Sequence, residues 1–310
     1  MKIIITGGLG FIGSHITRKL IENNYEVIII DNMSSNIVES ISGCQHLNYD
    51  LNDYDTLKEV KIPKVNTLLH LAGQASGPTS FQIPEIDIKN NILATLNLIK
   101  WCKINNIKRV IFASSSMVYG DNPDNECLNE DNICYPKTIY ASSKYYAENL
   151  FKIYATPLGI KWNILRMYNV YGPGQDLTRM DQGMVSIFLS IVKQGNYVGV
   201  KGPLNRFRDF IYIDDIVQGW ECCLMDNNHL NQIYNLGTGV KTYISSLIEI
   251  IVDVYGKTGK VKIEEVGATP GDILGSYADI SKISNDLNFK PTISLEQGVQ
   301  LFKDWSEIVE

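Results

Sequence analysis

No run in this sequence stays apolar for the ~18 residues that a membrane-crossing helix needs, which excludes a spanning helix. Basic charge is also in short supply. Lys and Arg number 28 against 34 Asp and Glu, a net −6, and nowhere do they cluster, so a polyanion such as DNA or RNA is not an expected partner. The six cysteines (44, 102, 127, 134, 222 and 223) include no C-x-x-C pair, and no histidine stands at zinc spacing from one, so no metal site is expected. Cys222 and Cys223 fall in a helical pattern and read as small apolar packing residues. Cys127 and Cys134 flank a polar loop, where a disulfide would need an oxidising compartment. The four histidines are dispersed and read as structural or surface residues. A strand beginning at residue 2 leaves no room for a signal peptide, and the cytoplasm is the expected compartment. Internal repeats and low-complexity tracts are missing too.

What is present is an ordinary globular balance, 45% apolar and 20% charged, over a length that suits one or two domains. The organising stretch is MKIIITGGLGFIGSHIT, residues 1–17. Lys2–Thr6 has the β-branched composition of a buried parallel strand. Gly7, Gly8, Gly10 and Gly13 follow, then a helical pattern from His15 to Leu20. Strand, glycine turn and helix in that order point to a dinucleotide site. Gly7 permits a sharp turn, Gly10 leaves room for a pyrophosphate, and Gly13 lets helix and strand pack closely. Free N–H groups at the helix start then face the phosphates. Tyr25–Ile30 is a second strand ending at Asp31. An acid there suits the ribose hydroxyls of NAD and repels the 2′-phosphate of NADP; the alternative is a plain turn aspartate.

Further strands are expected at His46–Asp50, with an acid in reach of the adenine, at Asn66–Leu71 before the small-residue turn Ala72-Gly73, and at Arg109–Ala113. Tyr54–Val60 should be a short helix and Glu85–Asn105 a long one. Asn91 interrupts the apolar side of that long helix, as packing glue or as a contact to a cofactor-bearing loop. Ser114, Ser115 and Ser116 stand at the C-terminal end of their strand, where open α/β sheets bind ligands; the alternative is a solvated serine turn. After the strand Lys161–Arg166 and the break at Gly172-Pro173-Gly174 the alternation loosens. Helices are expected at Met184–Val192, Ile216–Leu224 (N-capped by Asp214-Asp215), Ser245–Tyr255, Ser281–Leu287 and Leu295–Ser306. Gln232–Leu236 is a further strand, and Thr269-Pro270-Gly271-Asp272 a turn.

Tyr140-Ala141-Ser142-Ser143-Lys144 opens a helix running through Tyr154, so phenol and ammonium share one face. A phenol titrates near 10, so acting as a base near pH 7 needs a shift of about 3 units, or ~4 kcal/mol. One cation about 4 Å away supplies ~4 kcal/mol at an effective dielectric of about 20. A cationic nicotinamide ring would add to it. Alone, such a pair is common on helix surfaces; after a glycine fingerprint and a serine-tipped strand it reads as an acid/base pair.

Thr6–Ser14, Asp31, Ser114–Gly120, Tyr140 with Lys144, Arg208-Asp209-Phe210, Asn235–Gly239 and Pro270-Gly271-Asp272 together carry a resemblance that spans essentially the whole chain. The chain resembles an extended short-chain dehydrogenase/reductase of the NAD-dependent sugar-nucleotide epimerase/dehydratase family. The resemblance implies the α/β class: a doubly wound parallel Rossmann sheet of about seven strands with a smaller mixed α/β C-terminal substrate domain. It implies that residues 1–171, rejoined by about 209–239, bind NAD, and that 172–208 with 240–310 bind the nucleotide-sugar. The implied cofactor residues are Gly7, Gly10, Phe11, Ile12, Gly13, Asp31, Asn32, Asp50, Leu51, Leu71, Ala72, Gly73, Asn91, Ser114, Tyr140 and Lys144. The implied substrate residues are Ser115, Ser116, Tyr140, Asn169, Arg208, Asp272 and Ser276. A homodimer through the helices containing Asn91 and Tyr140 is implied as well, with a UDP-linked sugar as substrate.

Chemistry in this family starts with hydride transfer from sugar C4 to NAD as the tyrosine takes the O4 proton. A 4,6-dehydratase adds an Asp-Glu pair after the strand-end hydroxyl, where this chain has Ser116 and Met117. A reductase often consumes NADPH, which Asp31 disfavours. The resemblance therefore points to a UDP-hexose 4-epimerase, with Ser115 bonding O4, Tyr140 as acid/base and Lys144 as its electrostatic partner. The alternatives are a 4-dehydrogenase/reductase or dehydratase on another sugar, and a catalytically silent NAD sensor. Compared with UDP-galactose epimerases, Ala75 lies near a usual Lys, Gly183 replaces an Asn, and Thr269 replaces the Arg of R-P-G-D. The diphosphate then falls to Arg208, with Arg206 or Arg179 in support. Ser276 stands where glucose-restricted epimerases resemble one another in a bulky Tyr, and leaves room for a 2-acetamido group.

Overall fold

Strands that are apolar on both faces must be covered on both sides, and the chain is built accordingly. The structure, a computed structural model, describes residues 1–34, 38–62, 64–122, 126–268 and 271–308. Thr269 and Pro270 of the expected late turn lie outside the described residues. The first part of the chain runs β1 (Lys2–Thr6), α1 (Phe11–Glu22), β2 (Glu26–Ile30), β3 (Cys44–Leu47), α2 (Tyr54–Leu57), β4 (Thr67–His70), α3 (Gly77–Gln82) and α4 (Pro84–Asp87). It continues through a π turn (Ile88–Leu93), α5 (Ala94–Ile104), β5 (Arg109–Ser115), α6 (Ile139–Leu150) and β6 (Lys161–Met167). Then follow β7 (Asn169–Tyr171), α7 (Met184–Gln194), β8 (Tyr197–Val200), β9 (Phe207–Arg208), β10 (Phe210–Tyr212) and α8 (Ile213–Met225). The chain closes with β11 (Gln232–Leu236), β12 (Thr242–Tyr243), α9 (Ile244–Val254), β13 (Lys262–Glu265), α10 (Ser281–Leu287) and α11 (Leu295–Ile308).

Seven strands form one parallel sheet in the order β11-β6-β5-β4-β1-β2-β3. Alternation along β1 divides the core. Ile3 and Ile5 join a cluster with Ile16 and Leu20 of α1 and Trp220 of α8, whereas Ile4 joins Leu98 and Trp101 of α5. All three isoleucines are wholly buried, each worth about 1.5–3 kcal/mol by transfer. Sequence order reverses between β1 and β4, the switch point at which open α/β sheets bind ligands. The Gly7–Gly13 turn leaves β1 there and Leu71–Gly73 leaves β4. Outside the main sheet, β7 pairs with β10, β9 with β12 and β8 with β13.

Several expectations change. The strand expected at His46–Asp50 is Cys44–Leu47, so Asp50 stands beyond its end. The short helix stops at Leu57, and the helix expected through Tyr154 is α only to Leu150 before a π turn over Phe151–Ala155. The long helix is not uniformly α: α4 passes into α5 through the π turn that carries Asn91, a bulge that re-aims side chains and recurs at functional sites. Asp214 and Asp215 do not cap α8, which already starts at Ile213; they sit in its first turn. Asp215 instead accepts from Thr292 N and Oγ1, both at 2.9 Å, and from Ile293 N at 3.1 Å, tying α8 to the approach to α11. Cys127 and Cys134 are both free thiols. Among the described residues no helix is long and apolar enough to cross a membrane, and no cluster of side chains is set to hold a metal.

Candidate active site

The glycine turn is compact for a reason that can be measured. Gly7 has φ +70°, and a Cβ on it would lie 2.6 Å from Ala72 N. A Cβ on Gly13 would lie 2.0 Å from Gly7 O, so α1 is seated against the turn itself. At the start of α1, Gly10 offers no side-chain cap and the first turn, Phe11 onward, holds no acid, which leaves N–H groups and a positive helix end for an anion. Asp31, at the tip of β2, accepts from Leu9 N at 3.0 Å and Met33 N at 2.8 Å, holding the glycine turn to the neighbouring strand. Asn32 donates to Asp50 at 3.3 Å, and buried Leu51 gives its carbonyl to Asn97 at 2.9 Å. This is a cradle of bare backbone with one acid beside it, which fits a dinucleotide. Gly13→Ala is expected to overpack the turn by about 1–3 kcal/mol, weakening cofactor binding at least tenfold, as calorimetric titration with NAD would read.

A second group gathers around the start of α6. Thr138 caps that helix through Ala141 N at 3.0 Å. The Tyr140 backbone N–H donates to Ser80 Oγ, and the Tyr140 carbonyl accepts from Ser143 Oγ, both at 2.7 Å. The Ser115 hydroxyl, only 8% exposed, hydrogen-bonds the Tyr140 phenol and accepts from Met117 N at 3.2 Å. Lys144 is buried, donates to Ala113 O at 3.0 Å and stands 5.1 Å from the Phe112 ring centre. Gly73, at φ +157°, lets the β4 turn come close: a Cβ there would lie 2.6 Å from Asn91 Oδ1 and 3.2 Å from Lys144 Nζ. Asn91 pins the same turn, accepting from Gln74 N at 2.9 Å and donating to Gln74 O at 3.2 Å and Ser143 Oγ at 2.9 Å.

Charge in this group departs from the expectation for the pair alone. Burial pushes the Tyr140 phenol up, with the Ser115 hydrogen bond opposing it. Burial pushes Lys144 down to about 8, with Asp87 opposing. Desolvation thus outweighs pairing in the chain by itself. His70, behind the site, is held neutral, pushed down to about 3 by burial. Thr95 gives its proton to Asn91 O at 2.6 Å, so it accepts from His70 Nε2 at 3.0 Å, and Nδ1 takes the Thr6 hydroxyl proton at 2.7 Å. Ser114 turns away: its hydroxyl donates at 2.6 Å to buried Glu148, which is gripped by Arg166. Ser116 is buried in the short turn that follows β5.

The third group lies on β9 and the segment after Gly271. Arg208 donates to Asp272 Oδ1 at 2.6 Å and to Ile273 O at 3.1 Å. Arg206 pairs with the other oxygen of Asp272. Two nearly buried guanidiniums on one carboxylate leave a positive excess, and burial pushes Arg208 down to about 10, with Arg206 adding to it. Arg179 is engaged elsewhere, with Asp181 at 2.7 Å. Asn169 donates to Asp209 O at 3.0 Å, and Ser276 is buried next to Gly275, which bridges Phe207. Sequence reasoning named Asp209 within its motif but gave it no role. Its wholly buried carboxylate accepts from Thr238 N, Thr238 Oγ1, Gly239 N and Ala278 N at 2.6–3.1 Å. Sequence reasoning missed Asp87 and Ser80, because neither falls in a motif.

The profile of the NAD dependent epimerase/dehydratase family matches residues 3–237. The chain belongs to this family. Over its full length it superposes on the UDP-glucose 4-epimerase of Thermotoga maritima, solved with UDP-glucose, at a TM-score of 0.91 and 31% identity, covering 100% of both chains. The UDP-N-acetylglucosamine 4-epimerase of Methanobrevibacter ruminantium, solved with UDP-N-acetylmuramic acid, gives 0.90 and 34%, covering 100% of this chain and 99% of that one. The UDP-glucuronic acid 4-epimerase of Bacillus cereus, solved with UDP-glucuronic acid and NAD, gives 0.87 and 28%, covering 100% of both. The protein is an NAD-dependent sugar-nucleotide epimerase of the extended short-chain dehydrogenase/reductase type, and NAD is its cofactor.

Proposed function

We propose that this epimerase interconverts UDP-hexoses at C4, taking UDP-GlcNAc and UDP-GalNAc as well as, or instead of, UDP-Glc and UDP-Gal. The carrying observation is the Ser115–Tyr140 contact beside buried Lys144, with Ser116 and Met117 supplying no acid or base next to it. NAD bound between the Gly7–Gly13 turn, Asp31 and Gly73 supplies the hydride acceptor and donor. Ser115 hydrogen-bonds the sugar O4, Tyr140 takes the O4 proton, and the Lys144 ammonium favours the phenolate. The 4-keto sugar turns over, the hydride would return to the other face of C4, and Tyr140 gives the proton back to O4. Arg208 and Arg206 hold the diphosphate, with Asp272 released as it arrives; segments 172–208 and 240–310 form the sugar side. A homodimer is part of the reading, supported by exposed Phe81, Ile83, Ile88 and Leu93, and by exposed Tyr146 and Ile153 on the helix that packs against that stretch and its continuation.

Incubation with UDP-, GDP-, dTDP- and CDP-sugars in deuterated water, without added cofactor, tests the reading. Epimerisation with no deuterium on the sugar carbons is expected. Label at C5 would mean dehydratase or 3,5-epimerase chemistry, and a requirement for added reduced cofactor would mean a reductase. Ser276→Tyr is expected to cut conversion of the acetamido sugars at least tenfold while glucose turnover persists, a contrast of about 1.4 kcal/mol or more. Equal loss for both sugars, followed by nuclear magnetic resonance, would remove Ser276 from the specificity argument.

A further inference from the structure

Lys144 is a buried ammonium whose contact is a carbonyl, Ala113 O, and among the described residues no carboxylate reaches it as an ion pair. Its charge needs support from somewhere. The neighbours can be enumerated by element. From β4 comes His70, which is neutral. From β5 comes the Phe112 ring. On α6 itself Tyr140 carries no charge as a phenol, and Glu148 is committed to Arg166 through two N–H groups. From α4 comes Asp87, wholly buried at the point where the helix passes into the π turn. Its Oδ1 accepts from Asn91 Nδ2 at 3.1 Å, and the Ser80 and Ser143 side chains also stand close enough to stabilise its charge. Asn91 also donates to Ser143, which donates to the Tyr140 carbonyl. Asp87 thus reaches the Tyr140 carbonyl through Asn91 and Ser143, and Asn91 and Lys144 both flank the Gly73 turn, 2.6 and 3.2 Å from where a Cβ on Gly73 would lie.

We propose that Asp87 is a positioning residue: its buried carboxylate keeps Lys144 an ammonium and, through Asn91 and Ser143, holds the turn of α6 that presents Tyr140. The electrostatics agree in sign in both directions. Burial pushes the Asp87 carboxyl up while the Ser80 hydroxyl and then the Lys144 charge draw it back, and Asp87 raises Lys144 against its own burial. Asp87 also opposes ionisation of Tyr140, so its benefit is on the lysine, and the phenol bears the cost. What Lys144 does for turnover rests on the epimerase reading; the charge coupling does not, and it is tested without any sugar.

The test is a pH titration of the NAD-loaded protein carrying 13Cε-lysine, with the Lys144 resonance identified by its loss in Lys144→Met. A midpoint below the usual lysine value is expected in the unmutated protein, lower still by about one unit in Asp87→Asn, and retained in Asp87→Glu. A Lys144 midpoint that is the same in Asp87→Asn overturns the proposal. Should Asp87→Asn fail to fold, the unmutated protein still decides: the Lys144 resonance must show a second, acid-side inflection as Asp87 takes a proton. Its absence also overturns the proposal. Epimerase assays on the same samples then report separately on the reaction.

Discussion

Tyr140→Phe is expected to lower UDP-sugar turnover by about 10³-fold, within the range that general acid–base groups contribute, while NAD still binds. The deleted atom is the one that exchanges the O4 proton; apart from its hydrogen bond to Ser115, no structural contact depends on it. The Tyr140 backbone is fixed by Ser80 and Ser143, and α6 by Thr138, none of which uses the phenol. The loss should therefore fall on kcat, with unfolding temperature and calorimetric NAD affinity little changed. A variant that keeps more than about a tenth of the rate would remove the phenol from the chemistry. The same assay carries a pH signature. The reaction needs Lys144 charged, and burial lowers it to about 8, so kcat/KM of the unmutated enzyme should fall on the alkaline side, above about pH 8, rather than near the usual lysine value. A profile flat through that region would contradict the cationic role.

Asp209→Ala is expected to be the most damaging single change for stability, costing about 3–5 kcal/mol. Four donors converge on this one carboxylate, from the Thr238–Gly239 turn and from Ala278. Removing it leaves buried N–H groups unsatisfied at a cost of about 1–3 kcal/mol each, relieved only where the turn opens to water. Burial already pushes the Asp209 carboxyl up, so the protonated form is easier to reach in the fold than in the unfolded chain. On that sign, its ionisation costs stability as pH rises through the folded value, and the four donors offset the cost. Asp209→Asn should be milder, because its amide oxygen can still accept from Thr238 while its NH₂ opposes Gly239 and Ala278. Chemical denaturation, read by tryptophan fluorescence, measures both. A loss below about 1 kcal/mol for the alanine variant would mean that the turn is held by other contacts.

Much of this molecule is legible from local pattern. The β1 strand, the glycine turn and the helix after it follow from one segment's own geometry: Gly7 needs φ +70° and Gly13 has no room for a Cβ. Helix bounds fail where the determinant is remote. Ile213 begins α8 because Phe210–Tyr212 is held against β7, and Asp215 is then free to anchor Thr292 and Ile293. Ser114 looked like its two neighbours in sequence, but only assembly of β5, β6 and α6 brings Glu148 to its hydroxyl.

By itself, then, the sequence determined the parallel sheet, the glycine turn between its first strand and helix, and the placing of Tyr140 and Lys144 on one helix. Each depends on residues within a strand or a few helical turns, where period and steric need are visible. Only the tertiary structure decided how charge is distributed there: burial of the pair, Asp87 behind it, Arg206 and Arg208 meeting on Asp272, and Asp209 gathering a distant turn. Those depend on desolvation and on contacts between segments far apart in the chain, and neither is written in any local spacing.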